Sequence, residues 1–243
     1  MENIIKEYIK NKNLRNERAV VFPKNIFVKD AMQEITTLGD EAFRDFKNLE
    51  SIILPPSLEL INFKAFEGCE HLHIINIPQN VKSIKPDAFL NCYSLKRINC
   101  PDSLTRIGIA AFKGCLELEK ILMPKNCPVM EKAIFSDCQK LKEIELPTDL
   151  EGLLEYSFRN CLALKKVILP QSLKILGAEC FKSCLELEEI VFPDNPMVLF
   201  NDAIKKCPKL KKVIWRGDVF DNPDSFNKAL QSNGYGIDRV WSL

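Results

Sequence analysis

Seven cysteines stand at positions 69, 92, 115, 138, 161, 184 and 207, each 23 residues after the last, with no insertion or deletion between them. Phe46 holds the same place one period earlier. Three residues before each member lies Phe43, Phe66, Phe89, Phe112, Phe135, Phe158 or Phe181, and Ile204 closes that column. Prolines at 55, 78, 101, 124, 147, 170 and 193 keep the same step, and FKGCLELEKILMP from Phe112 returns as FKSCLELEEIVFP from Phe181. A strict period of about 20 to 29 residues commits a chain to stacked coils, because so short a unit cannot bury its own apolar face and must lay it on a neighbour.

Each unit reads, in the numbering of the first full one, Leu49-x-x-Ile52-x-Leu54-Pro55-x-Ser57-Leu58-x-x-Ile61-x-x-x-Ala65-Phe66-x-x-Cys69. Leu-x-x-Ile-x-Leu predicts a short strand whose alternation turns Ile52 and Leu54 inward and Ser51 and Ile53 outward. Proline at the strand end has no N–H to give a neighbour and stops the ladder. The position two after each proline is held by Ser57, Asn80, Ser103, Asn126, Asp149, Ser172 and Asn195, short polar side chains that bond to nearby backbone and make a turn. Ala-Phe-x-x-Cys then predicts a return across the other side as one helical or 3-10 turn, with phenylalanine and cysteine inward. Small residues fill its first column, Ile134 being the bulky exception.

These columns resemble the recurrent Ala-Phe-x-x-Cys-x-x-Leu-x-x-Ile-x-x-Pro unit of the BspA-like branch of the leucine-rich-repeat family, from about residue 35 to 216. The resemblance implies an α/β leucine-rich-repeat solenoid, curved and right-handed, with a parallel sheet on the concave face and short helical or 3-10 turns on the other side. It also implies relatives among surface and adhesion proteins of host-associated bacteria and some protists, for which enzymatic activity is not the rule.

An open stack exposes its core at both ends, so each end calls for a cap. Ile4, Ile5, Tyr8 and Ile9 recur at helical spacing in a charged segment and predict an amphipathic helix over the first coil, with Val20-Val21-Phe22-Pro23 as a first strand. From Pro23 to Pro55 is 32 residues, nine more than one period, so Lys24 to Glu34 is expected to bulge out. At the other end Asp224-Ser225 is read as the cap of a helix carrying Phe226, Ala229 and Leu230, stopped by Asn233-Gly234, with Ile237-x-x-Val240 echoing a strand. The expected organisation is one domain: an N-terminal cap over 1–34, eight repeats over 35–216 and a C-terminal cap over 217–243.

The first eighteen residues never reach the apolar run of a signal peptide, and the expectation is a cytoplasmic chain. The alternative is a cell-surface or secreted adhesin binding host or matrix components. Cysteines that occupy repeat columns are read as small reduced hydrophobes rather than as ligands or nucleophiles. His71 and His73 flank the inward Leu72 and are read as surface residues. Glycines are dispersed and form no phosphate loop, and a net charge of +1 with Lys96-Arg97, Lys165-Lys166 and Lys211-Lys212 interrupted by glutamates in the same columns argues against nucleic acid. No catalytic residue, metal or cofactor is expected, and no membrane insertion; a monomer is favoured.

What remains is the outward strand column: Ile53, Asn76, Asn99, Leu122, Glu145, Ile168, Val191 and Ile214. Its last three members form an apolar strip bordered by Lys166, Glu189 and Lys212. β-Branched residues suit any strand, but an apolar strip with a charged border also suits a protein or peptide partner. The reading is a non-catalytic protein-binding scaffold whose face comprises Ile168, Val191, Ile214, Lys166, Glu189, Lys212, Leu122 and Glu145.

Overall fold

Three sides of the coil carry hydrogen bonds from one coil to the next. The computed structural model describes residues 2–28, 31–195, 197–200 and 202–232. On the first side run the expected strands, Ala19–Val21, Ser51–Ile53, Ile74–Ile75, Arg97–Asn99, Lys120–Leu122, Lys166–Ile168, Glu189–Val191 and Lys212–Trp215. They pair in parallel, Val20 with Ile52 across the insertion and the others one period apart, as in Ile98 with Ile121 and Val167 with Ile190, in three ladders that break between Ile75 and Arg97 and again between Leu122 and Lys166. Ile52 and Leu54 are buried and Ile53 faces out, as the alternation requires.

The second side is a further parallel sheet that the unit pattern did not predict. It comprises Thr37–Leu38, Leu60–Ile61, Ser83–Ile84 and Arg106–Ile107, and then Val129–Met130, Gly152–Leu153, Ile175–Leu176 and Val198–Leu199. The interruption between Ile107 and Val129 has a covalent cause. Thr105 N donates to Lys82 O at 3.1 Å and Glu151 N to Pro128 O at 2.8 Å, but Pro128 stands where an N–H should meet Thr105 O and has none. The short polar residues at this corner tie coil to coil: Ser57 Oγ donates to Ile35 O at 2.7 Å, Ser103 Oγ to Val81 O at 2.8 Å and Asn195 Nδ2 to Gln171 O at 2.9 Å.

The third side keeps the expected inward phenylalanine and cysteine but differs in backbone detail: the segments are hydrogen-bonded turns, not helices. A helix would send every N–H back along its own turn. Here alternate amides leave the coil, so that Glu41, Phe43 and Asp45 donate to Phe63, Ala65 and Glu67 of the next coil at 2.8–2.9 Å, while Arg44 and Phe46 bond back to Glu41 and Phe43. Positive φ at the first and fifth residues of each turn aims the amides outward; the fifth is Asp45, Gly68, Asn91, Gly114, Asp137 or Asn160 in the first six coils. These residue types tolerate the left-handed region best. At Gly68 a Cβ would lie 2.4 Å from Asp45 Oδ1, so any larger residue would have to displace that carboxylate.

Inside this third side runs a spine. Neighbouring phenylalanine rings from Phe43 to Phe181 stack at centroid separations of 5.1–5.6 Å. Each column thiol donates to the phenylalanine carbonyl of the coil before it: Cys69 Sγ to Phe43 O at 3.0 Å, Cys138 to Phe112 at 3.2 Å and Cys207 to Phe181 at 3.1 Å, with the other four alike.

The two ends close as the exposed core demands. Helix α1, Glu2–Asn11, buries Ile5 and Ile9 and sets Tyr8 edge-on to Phe22, which is itself edge-on to Phe43. The side chain of Ile4 lies outside the described residues. The extra residues before Glu34 form an antiparallel hairpin, Asn25–Val28 with Ala31–Glu34, that buries Ile26 and exposes Phe27 and Met32. At the far end Lys212–Trp215 turns back through Arg216 and Gly217, both at positive φ, into Asp218–Phe220. Helix α2, Pro223–Ser232, then plugs the core with fully buried Phe226. Its cap is Asn222 rather than Asp224-Ser225: Ser225 N donates to Asn222 Oδ1 at 2.8 Å, and Pro223 fills the first helical position, where no N–H is needed. The Leu230 side chain, Asn233-Gly234 and Ile237 to Val240 lie outside the described residues.

The buried columns form one continuous core from Ile5 to Phe226. Leu164→Asp places a carboxylate in that core and is expected to cost about 3 kcal/mol or more, whereas Lys165→Asp on the exposed side costs under ~0.5 kcal/mol. Thermal denaturation of the two variants checks this, and equal melting temperatures would contradict the assignment of columns.

Candidate functional site

The side chains most able to do chemistry are held away from it. All ten cysteines are free and buried. Burial pushes Cys69 and Cys115 from 9.0 up to about 12, Cys127 and Cys207 up to about 11, and Cys92, Cys138, Cys161 and Cys184 well above 9.0. A thiol that is desolvated and already donating to a carbonyl is a poor nucleophile and a poor ligand. His71 and His73 project outward beside buried Leu72, and His71 Nδ1 lies 2.6 Å from Lys47 O.

Charged residues are largely consumed by one another in the same 23-residue step. Lys140 meets Glu117 at 2.7 Å, Lys142 meets Glu119 at 3.2 Å, Lys174 meets Glu151 at 2.7 Å and Lys211 meets Glu188 at 3.0 Å. Three of the predicted partner-binding residues belong to this network. Glu189 lies between Lys166 at 2.9 Å and Lys212 at 3.1 Å. The hydrogen bond from Lys166, with Lys212 in support, holds its carboxyl below the usual range against desolvation. The border of the apolar strip is therefore internally paired.

The strip itself is uneven. Ile168 is 58% exposed and Leu122 46%, but Val191 and Ile214 are only half-exposed, and Ile214 is paired across to Val219 of the terminal hairpin. Between Leu122 and Ile168 stands Glu145, on a segment that forms no strand. Lys142 N reaches Glu119 O at 3.5 Å and Lys165 N reaches Lys142 O at 3.3 Å, against 3.0 Å for Glu119 N to Lys96 O and 2.8 Å for Glu188 N to Lys165 O. This coil alone places glutamate at both outward strand positions, 143 and 145, and glutamate is disfavoured in strands. A groove of about 420 Å³ opens there, floored by Leu122, Leu146, Ile168 and Pro170 and rimmed by Lys120, Glu143, Glu145 and Lys166.

Other exposed apolar groups were not singled out by the sequence pattern. Val21 continues the outward column beside Ile53; Phe27 and Met32 face each other on the N-terminal hairpin; Val129, Ile175 and Val198 line the outward side of the second sheet. The hairpin residues lie in the insertion, where no column exists to read them by.

The repeat geometry and its spine find their match among known proteins. The family described as the BspA type leucine-rich repeat region, in six copies, matches residues 24–142 and 106–228. The chain belongs to that BspA-type family. Its repeat architecture is that of an interaction scaffold. The crystal structure of a leucine-rich repeat protein from Bacteroides ovatus is similar with a TM-score of 0.64 and 28% identity over 81% of this chain. The chain spans 63% of that protein, less than two thirds of its length. The T. pallidum leucine-rich repeat protein matches in fold with a TM-score of 0.59 and 24% identity, covering 93% of this chain and 88% of that one. No curated protein matches.

Membership corrects the cytoplasmic expectation. BspA-type leucine-rich repeat proteins are typically cell-surface or secreted bacterial proteins. The residues on which the expectation rested form a lid: α1 buries Ile5 and Ile9 on the first coil. No helix among the described residues is long and apolar enough to cross a membrane.

The thiol environment makes two measurable demands. Iodoacetamide should leave the folded protein unlabelled and modify close to ten groups once it is denatured. Because the folded thiols titrate above the unfolded ones, their contribution to stability is complete below about pH 9 and is lost as pH rises towards about 12, so the melting temperature should fall steeply above pH 9. Rapid labelling of the native chain, or a melting temperature unchanged from pH 8 to pH 11, would contradict the buried column.

Proposed function

We propose that the chain is a non-catalytic protein-binding scaffold whose partner lies on the outward face of the first sheet, centred on the groove at Leu122, Glu145 and Ile168 and extending to Val191 and Ile214. Lys166, Glu189 and Lys212 form its paired border. The observation that carries this reading is the groove: it opens where one coil leaves the strand ladder, and its apolar floor lies among charges that elsewhere cancel in pairs. Soluble proteins seldom keep such a surface without a use. The buried, protonated thiols support a non-catalytic role.

Selection of a random peptide library on the parent protein tests the location. Peptides so enriched should lose binding by about tenfold or more to the double variant Leu122→Ser, Ile168→Ser, whose sites are exposed and whose melting temperature should change little. Ile109→Ser, exposed on the third side, should bind them as the parent does. Equal binding by all three proteins would move the surface elsewhere.

A further inference from the structure

Glu145 departs from the charge rule that governs its neighbours. Glutamates 117, 119, 143, 151, 155, 186, 188 and 189 each meet a lysine one period away. One period from Glu145 stand Leu122 and Ile168, which have no charge to offer, and the two lysines on the groove rim are already engaged, Lys120 with Glu143 at 3.7 Å and Lys166 with Glu189 at 2.9 Å. Among the described residues the Glu145 carboxylate has no ion pair or hydrogen bond. An unmatched negative charge thus stands on the groove rim, between Leu122 and Ile168 in its column, at the one outward position of that column that is charged.

We infer that the groove takes an extended polypeptide segment carrying a lysine or arginine opposite Glu145, with apolar residues two positions before and two after it lying on Leu122 and Ile168. This rests on the groove being the binding surface. Charge complementarity selects a basic residue for the centre, because only a cation gives Glu145 the partner that its coil neighbours cannot. Strand spacing selects the flanks. Side chains on one face of an extended chain repeat every ~6.7 Å, and a segment crossing the strands at about 45° advances about 4.7 Å along the stack per repeat, close to the ~4.8 Å between strands. Residues i−2, i and i+2 of the segment then fall on Leu122, Glu145 and Ile168 in turn. Lys166 and Lys212 share Glu189 and so carry a net charge of +1 that Glu145 offsets, and a face so balanced offers a polyanion little attraction and leaves one carboxylate to choose the register.

The test uses three fluorescein-labelled heptapeptides alike except at the centre: isoleucines at the second and sixth places, serines between, and arginine, glutamine or glutamate in the middle. Anisotropy titrations are run against the parent, Glu145→Gln, Glu145→Lys and Ile168→Ser, each first checked for an unchanged melting temperature. The parent should bind the arginine peptide about fivefold tighter than the glutamine peptide, with the glutamate peptide weakest, and the preference should fade as salt is raised to about 0.5 M. Glu145→Gln should bring the arginine and glutamine peptides level, and Glu145→Lys should reverse the order in favour of glutamate. Ile168→Ser should weaken all three alike while keeping their order. Arginine and glutamine peptides bound equally by the parent, an order unmoved in Glu145→Lys, or no binding of any peptide would each overturn the inference. If only the order fails while Ile168→Ser still weakens binding, the groove stands and its charge selection falls; binding indifferent to Ile168→Ser defeats the groove itself.

Discussion

Every carbonyl in the phenylalanine column from Phe43 to Phe181 accepts two hydrogen bonds, one from the amide three residues on and one from the thiol a coil later. The matching amides all leave the coil, from Phe43 N to Ala65 O at 2.8 Å through to Phe181 N to Ala203 O at 2.7 Å. The third side therefore satisfies its backbone only when another coil is present on each side, and that requirement fixes the period. An inserted residue would break the ring stack, the thiol contact and the amide ladder together. Cysteine suits the position because it fills apolar space and still donates weakly to a carbonyl that lacks a second partner. The first coil has no predecessor to offer such a carbonyl; there Phe46 replaces the thiol and meets Phe43 edge-on.

Because the spine alone can hold coils in register, the two sheets are free to lapse. Pro128 interrupts the second sheet and residues 143–145 leave the first, yet between these coils the third side is intact: Phe112 N reaches Ile134 O at 3.0 Å and Phe135 N reaches Ser157 O at 2.8 Å. The groove at Leu122 and Ile168 is a product of that freedom. A local defect on the outward face becomes a recess without loss of the stack, because coils in a solenoid depend on their neighbours through more than one ladder. The unpaired Glu145 is part of the same defect, since the two glutamates that weaken the strand also leave one charge unmatched.

The architecture was legible because column and burial coincide. Phe66, Cys69, Leu72 and Ile75 are each buried, as periodicity requires, and Ile53 and Ile168 are each exposed. What the pattern did not yield depends on backbone direction or on single exceptions. The second sheet occupies only two residues per coil, too few for alternation to register. Asp45, Gly68, Asn91 and Gly114 form a column of residues that accept positive φ, and that column carried the signal that the return is a turn and not a helix. Pro128 and the Glu143, Glu145 pair each depart from their columns, and those departures mark where the sheets break. The N-terminal hairpin sits in a non-repeating insertion, and the cap of α2 moved from Asp224-Ser225 to Asn222 because a following proline takes the first helical position.

Residue-resolved amide hydrogen exchange tests the spine most directly. If the third side holds the stack, the amides of Phe43, Phe66, Phe89, Phe112, Phe135, Phe158 and Phe181 should be protected to a similar degree along the whole chain, including the middle coils where both sheets are interrupted, while those of Ile144 and Glu145 exchange early. Amides of Phe112 and Phe135 exchanging as fast as those of Ile144 and Glu145, with protection confined to the paired strands, would contradict it.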